Sequence, residues 1–356
     1  MPYPNTKERE QTDWRIMERT AILITALISL GMTGILGFFA IPFLRRLKYG
    51  QTINEIGPVW HKPKEGTPTM GGLIMIVGVV FALAVGYITL ILEVPQFMSE
   101  QYDAENVRFF AGIGMALLFG VIGFIDDMRG INHRHNLGLR ARYKLILQFV
   151  VAALYLGVMR YAGGLSTYVF IPFIGGFDLG NWYYLFALAL ITGMVNAANL
   201  TDGIDGLAAT MTFFVGMTFI VIATLLGYVG TGLIATAVAG ACVGFVIWNF
   251  NPAKVIMGDT GSLFLGGAIT AMAFGVDFPL LIVLAGFVYI IEMFSVILQI
   301  SFFKLSRKLT GTGKRIFKMS PIHHHFELSG LSEVKIVVFF SALTIIGCAA
   351  AVYAVI

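Results

Sequence analysis

The feature that most constrains this chain is a succession of apolar runs, each roughly 20 residues long, that do not alternate with polar residues. In hydrocarbon every backbone N–H and C=O must be satisfied within the protein, so only helices and closed barrels span a bilayer. About 20 non-alternating apolar residues match a helix crossing a core about 30 Å thick. The expected fold is all-α, a polytopic membrane helix bundle. Composition agrees: 57% of the 356 residues are hydrophobic and 12% are charged, against about 25% charged in a soluble domain. Cys242 and Cys348 both fall in apolar runs and read as small core residues, with no disulfide or metal role.

Ten spans are expected, at about 20–43, 71–92, 107–125, 145–163, 182–199, 207–227, 231–249, 262–276, 279–303 and 334–355. The eighth is short and rich in glycine. Residues 161–181, with paired glycines, Pro172 and alternating aromatics, suggest a small surface hairpin. The loops after spans one, three, five, seven and nine hold 18 of the 24 Lys and Arg residues, whereas the other side carries an acidic loop with Glu93, Glu100, Asp103 and Glu105. The positive-inside rule therefore puts the basic loops in the cytoplasm and both termini outside. The segment up to Arg19 is polar and mixed in charge, and no short apolar stretch with a cleavage site follows, so the first run reads as a retained span. The longest polar segments, at about 20–30 residues, are too short for a separate core. Residues 1–356 thus read as a single integral membrane domain.

The acidic residues are placed unevenly. Intramembrane carboxylates of transporters mark an ion path, and here only Glu292 lies deep inside a run, with Gln299 seven residues on and on the same face. The others sit at span ends on the basic side. Asp126 and Asp127 close span three, where two carboxylates meet each other's charge and the negative helix end; they read either as a solvated loop start or as hard oxygen ligands for Mg²⁺. Asn196, Asn199, Asp202 and Asp205 crowd the loop between spans five and six, beside glycines that permit tight turns. A capping aspartate would explain one of these acids but not the density of amides and acids.

Asn249 leads to Gly258-Asp-Thr-Gly-Ser262 at the start of span eight, where backbone N–H groups could face a phosphate oxygen. Asp259 would then hold the metal bridging to that phosphate. Ser320 as N-cap and Pro321 at the first helical position predict a short helix carrying His323, His324 and His325. These could hydrogen-bond a diphosphate or hold a transition metal, although the surrounding acids and amides favour a harder ion. His61-Lys-Pro-Lys64 to Thr69 and Gly72 reads as a basic loop, or as a phosphate-facing turn with hydroxyls and a mobile cation.

Taken together and in order, Gly66-Thr-Pro-Thr-Met-Gly-Gly72, Asp126-Asp127, Asn196 to Gly206, Gly258-Asp-Thr-Gly-Ser262 and Pro321-Ile-His-His-His-Phe-Glu327 closely resemble the phospho-N-acetylmuramoyl-pentapeptide transferase family. The paired Asp and the Asn/Asp loop are similar to the wider polyprenyl-phosphate N-acetylhexosamine-1-phosphate transferase superfamily, and the triple-His segment to the muramoyl branch. The resemblance covers essentially the whole chain. It implies an Mg²⁺-dependent transfer of phospho-MurNAc-pentapeptide from UDP-MurNAc-pentapeptide to undecaprenyl phosphate, giving lipid I and UMP, in the bacterial cytoplasmic (inner) membrane. It implies that Asp259 holds Mg²⁺, and that Asp126 and Asp127 deprotonate the lipid phosphate or support the metal. Lys64, Thr69, Lys144, Asn196, Asn199, Asp202, Asp205, Asn249, Gln299 and His323 to His325 fall at positions that look like the family's nucleotide and catalytic pocket. Family members often carry Lys three residues after the second Asp, where this chain has Gly130, and no role is assigned there.

Direct attack by the lipid phosphate is favoured over a covalent intermediate on Asp259. The alternatives are a transferase using UDP-GlcNAc, which the triple-His segment argues against, and an ion-coupled transporter built on Glu292. Nothing points to nucleic acid; a homodimer stays open.

Overall fold

The structure, a computed structural model, describes residues 6–46, 66–132 and 138–356; Lys64 lies outside them. In chain order it comprises α1 (Thr6–Arg46), α2 (Gly72–Glu93), α3 (Asp103–Asn132), α4 (Ala141–Tyr161), a hairpin of β1 (Tyr168–Ile171) and β2 (Gly175–Asp178), α5 (Trp182–Thr201), α6 (Leu207–Leu226), α7 (Val229–Asn249), α8 (Gly258–Gly275), α9 (Leu281–Ala285), α10 (Phe287–Thr310), α11 (Ile322–Glu327) and α12 (Glu333–Tyr353). Among the described residues, nine helices are long and apolar enough to cross a membrane. The chain is an all-α, multi-pass membrane protein.

The expected eighth span, α8, is a helix of 18 residues, and every residue from Thr260 to Gly275 is buried. Its glycines and threonines make it less apolar than its neighbours. It can afford them because α3, α5, α2 and α7 enclose it and leave it no lipid-facing side. Small residues let the backbones close up. A Cβ on Gly123 of α3 would run into the Asp259 carbonyl, and one on Gly72 of α2 would run into Gly261. The N-terminal end of this helix is therefore fixed by backbone contact as well as by side chains.

Three expectations about boundaries change. Span three runs to Asn132, so Asp126 and Asp127 lie inside the last turns of α3 rather than closing it. The ninth span is broken at Gly286 into α9 and α10, and α10 continues to Thr310 through the charged residues Lys304, Arg307 and Lys308. The triple-His helix begins at Ile322 with Pro321, not Ser320, at the N-cap. The hairpin between α4 and α5 is present, antiparallel, with Tyr168 opposite Asp178 and Ile171 opposite Gly175.

At the bundle end away from the aspartates, a buried arginine ties three segments together. Arg108 of α3 donates from Nε to the Gly163 carbonyl at 2.7 Å, from Nη2 to Gly164 at 3.1 Å and from Nη1 to Gly275 at 3.4 Å. It also pairs with Asp277 at 3.6 Å and lies over the Tyr228 ring. These bonds satisfy two carbonyls just beyond the end of α4 and the last carbonyl of α8, which the helices themselves leave open. Arg108→Met should therefore destabilise the bundle by about 3 kcal/mol. A lowered thermal midpoint in detergent, with turnover at low temperature retained, is the expected result.

Candidate active site

The site is built at the N-terminus of α8. That terminus is packed against α2 and α3, so its first N–H groups need partners inside the protein. Asp127 provides them: its Oδ1 accepts the Asp259 N–H at 3.1 Å, and its Oδ2 accepts the Thr260 N–H at 2.9 Å and the Thr260 hydroxyl at 2.6 Å. This corrects the expectation that the N–H groups of the Gly-Asp-Thr-Gly-Ser turn face a phosphate, since those of Asp259 and Thr260 are already occupied. Gly258 holds the turn with φ +74°, and a Cβ there would lie 2.7 Å from Asp127 Oδ2 and 2.8 Å from the Thr69 hydroxyl. Thr69 is brought in by backbone pairing: Ile256 N–H donates to the Pro68 carbonyl at 2.8 Å, and Gly71 and Gly72 N–H donate to Ile256 and Met257 at 2.9 Å each.

Adjacent residues on a helix point about 100° apart, and the two aspartates of α3 accordingly serve different partners. Asp126 accepts the Leu139 N–H and a bond from Lys144 Nζ at 3.0 Å. Lys144, in the first turn of α4, donates also to Asp259 and to Asn199 Oδ1 at 3.2 Å. Asn199 in turn donates to Asp259 Oδ1 at 2.8 Å and to the Ser262 hydroxyl at 2.9 Å. One ammonium thus joins α3, α5 and α8 through Asp126, Asn199 and Asp259. Asn196, one turn below Asn199, is held by Gln148, which accepts from its Nδ2 at 2.6 Å. Gln148 was not singled out from the sequence, although its place one turn after Lys144 in an otherwise apolar face was a signal.

The remaining loop residues divide by what they hold. Asp205 does not cap α6; its Oδ2 accepts the Ala253 N–H at 2.9 Å and Asn251 Nδ2 at 3.2 Å. Asn249 accepts the Gly206 N–H at 3.0 Å and donates to the Val255 carbonyl at 2.9 Å. Glu333, also missed from the sequence, accepts the Asp205 N–H at 3.0 Å. These bonds staple the α5–α6 loop to the α7–α8 loop and to α12. Gln299 accepts the Ile316 and Phe317 N–H groups at 3.0 Å and donates to the Phe317 carbonyl at 2.9 Å. In this structure Asp205, Asn249 and Gln299 are buried loop braces. Asp202, at the end of α5, is half-buried; burial first, then the charges of Asp259, Asp127 and Asp205, push its carboxyl up to about 8.

The three histidines are not equivalent. His323 is wholly buried, with Nδ1 at 3.1 Å from Glu292 Oε2, and its ring packs on Gly203, where a Cβ would collide with it. His324 lies against it, ring centroids 4.1 Å apart, with Nδ1 at 2.9 Å from Glu327 Oε2. His325 is half-buried, and its Nδ1 accepts the Lys318 N–H at 3.1 Å. Of the three, only His324 and His325 are partly exposed in this arrangement.

All these residues stand at the same end of the bundle, where the described parts of the loops expected to be basic also lie. A model of glycosyl transferase family 4 matches residues 109–277, the stretch from α3 to just beyond α8. Proteins described as phospho-N-acetylmuramoyl-pentapeptide-transferase are similar along nearly the whole chain. That of Shouchella clausii is 42% identical over 91% of this chain and 94% of its own. That of Desulforamulus reducens is 43% identical over 90% and 92%, and that of Halalkalibacterium halodurans 43% over 95% and 98%. With the bundle and the aspartate cluster already in place, likeness of this extent means that the chain belongs to the phospho-N-acetylmuramoyl-pentapeptide transferase family.

Proposed function

We propose that the protein transfers phospho-MurNAc-pentapeptide from UDP-MurNAc-pentapeptide to undecaprenyl phosphate, releasing UMP and forming lipid I for peptidoglycan, at the cytoplasmic face of the bacterial inner membrane. The observation that carries this reading is the Lys144 ammonium shared by Asp126, Asn199 and Asp259 at the basic end of the bundle. Donor diphosphate, acceptor phosphate and leaving UMP are all anions, so bringing them together calls for positive charge more than for covalent chemistry. The basic loops supply that field and, by the positive-inside rule, place it in the cytoplasm, where the soluble nucleotide is. The prenyl chain stays in lipid, beside a ninth span broken at Gly286 that turns Phe294, Ile297 and Leu298 outward.

Mg²⁺ suits the donor set. Among the described residues no three His, Cys, Asp or Glu side chains converge as a ready-made cage, and Mg²⁺ is commonly held by one or two carboxylates with substrate phosphates completing its shell. Asp259 is the carboxylate to hold it, being 30% exposed where Asp126 is 12% exposed. Bound there, the ion would neutralise charge on the diphosphate.

The acceptor phosphate needs little help to ionise, since a phosphate monoester has a second pKa of about 6. Asp126 and Asp127, both engaged by N–H donors, hold the site together rather than take its proton. Asp259 is tied to Lys144 on one side and Asn199 on the other, which blunts it as a nucleophile and favours direct attack by the lipid phosphate. His324 and His325, beside the basic loop, are placed to meet the donor.

Asp259→Asn should lower Mg²⁺-dependent UMP release by about 10²- to 10³-fold, measured with purified protein and both substrates. Release at the parent rate would sink the metal assignment. Turnover with UDP-GlcNAc but not with UDP-MurNAc-pentapeptide would transfer the protein to the other branch of the superfamily. A second expectation concerns pH. Below about pH 8 Asp202 is protonated and adds no charge to the cluster; above it the carboxylate does. The Mg²⁺ concentration for half-maximal rate should fall by up to about tenfold from pH 7 to pH 9, following the ionised fraction of that group. In Asp202→Asn the dependence should flatten at the low-pH value.

A further inference from the structure

Glu292 lies in α10, away from the reacting groups, and the transfer reaction gives it no task. Its helix is polar on the inside and apolar on the outside: Glu292, Ser295, Gln299 and Ser306 are buried, while Ile291, Phe294, Ile297, Leu298 and Leu305 face outward. Three members of the inner stripe grip the loop that returns along the helix. Ser306 accepts the Lys314 N–H at 2.8 Å, Gln299 binds Ile316 and Phe317, and Glu292 meets His323. Glu292 and His323 are both 0% exposed, so neither can touch substrate in this arrangement. Whichever of the two carries the shared proton, the 3.1 Å bond fixes the ring plane. That ring is wedged between Gly203, next to Asp202, and the His324 ring. Glu292 Oε1 and His323 Nε2 have no hydrogen-bond partner among the described residues. Glu292 Oε2 carries the whole contact, meeting the His323 ring at 3.1 Å and accepting the His323 backbone N–H at 3.5 Å.

We infer that Glu292 is a positioning residue for phosphosugar transfer, acting through His323 to seat α11, the His324 ring and the Asp202–Gly203 corner. The inference rests on the transferase reading above and deepens it. As a stabiliser such a buried pair is weak, because replacing both members together by apolar side chains of similar volume is often neutral or stabilising, whereas removing one member leaves the other unpartnered and destabilises the fold. Its worth lies in placing groups at the mouth of the site, where a shift of about 1 Å costs about 10²-fold in rate.

The test compares the parent with Glu292→Gln and Glu292→Met as full-length purified proteins. It measures kcat and KM with UDP-MurNAc-pentapeptide and undecaprenyl phosphate, thermal midpoints, and ¹⁵N NMR of labelled histidine side chains. The Met variant, which can neither donate nor accept, should lose about 10²-fold in kcat/KM, mostly through the KM for the nucleotide donor. Its thermal midpoint should fall, because His323 is left without its partner, but the loss of activity should persist at temperatures well below both midpoints. One histidine ring should shift in the ¹⁵N spectrum. The Gln variant, able to donate or accept, should recover to within about threefold of the parent. Parent-like kcat/KM in the Met variant would overturn the proposal. So would a Gln variant as impaired as Met, which would mark Glu292 as a charge or proton carrier, or an activity loss in the Met variant that disappears when both proteins are assayed well below their midpoints. Should the parent itself not turn over these substrates, the transferase reading fails, while the NMR comparison still decides whether Glu292 holds His323.

Discussion

The buried N-terminus of α8 is the constraint on which the rest of this site depends. A helix that starts inside the bundle, against the backbones of α2 and α3, cannot leave its first N–H groups to water. Asp127 satisfies two of them from a neighbouring helix. That one carboxylate sets the register of α8 against α3, and Gly123 and Gly258 are required by the same close approach. With the helix start fixed, Asp259 can project only toward Lys144 and Asn199. The favourable end of the helix dipole then lies under the cluster, where it eases the crowding of negative charge.

That crowding shapes the chemistry. Asp126, Asp127, Asp202 and Asp259 share a small volume with the Lys144 ammonium. The cluster answers partly by keeping Asp202 protonated near neutral pH. A site in this condition gains from any further cation and from losing a proton as the cation arrives. It would repel the phosphates it is meant to serve unless such a cation came with them. On the reading proposed above, metal and nucleotide arrive together at Asp259, which is more exposed than Asp126 although Lys144 and Asn199 already engage it.

Much of this was legible in the sequence because membrane folding leaves clear marks. Run length and charge asymmetry give the helices and their shared end, and paired glycines with alternating aromatics give the hairpin at 168–178. The motifs were legible as a group, too, since Asp126, Asn199 and Asp259 do meet. What was hidden was how labour is divided within each motif. Asp126 and Asp127 look like a pair only until α3 is known to continue to Asn132; on a continuing helix they turn to separate partners. Asp205, Asn249 and Gln299 are polar residues beside the site, and in this structure their side chains bond mainly to loop backbone. Composition cannot separate an amide that meets substrate from one that shapes the pocket, because both need the same donor and acceptor. Lys64 falls outside the described residues, and its place in the site rests on the motif alone.

The α10 stripe shows why polar residues in a membrane span need not mark a path through it. In water a helix buries its apolar face, but in lipid the apolar face can stay outside at no cost, and polar side chains inward become the specific contacts. Here Ser306, Gln299 and Glu292 form successive grips on a loop that would otherwise be free to swing. Each grip consists of hydrogen bonds to defined atoms, so the loop is indexed along the helix in a way that apolar packing could not achieve. The last grip is the only one made by an ionisable group, and it ends on the imidazole nearest the Asp202–Gly203 corner. An acid at that depth makes physical sense if its task is to fix direction: the carboxylate and the ring it meets admit one orientation, and the residues at the mouth of the site inherit it.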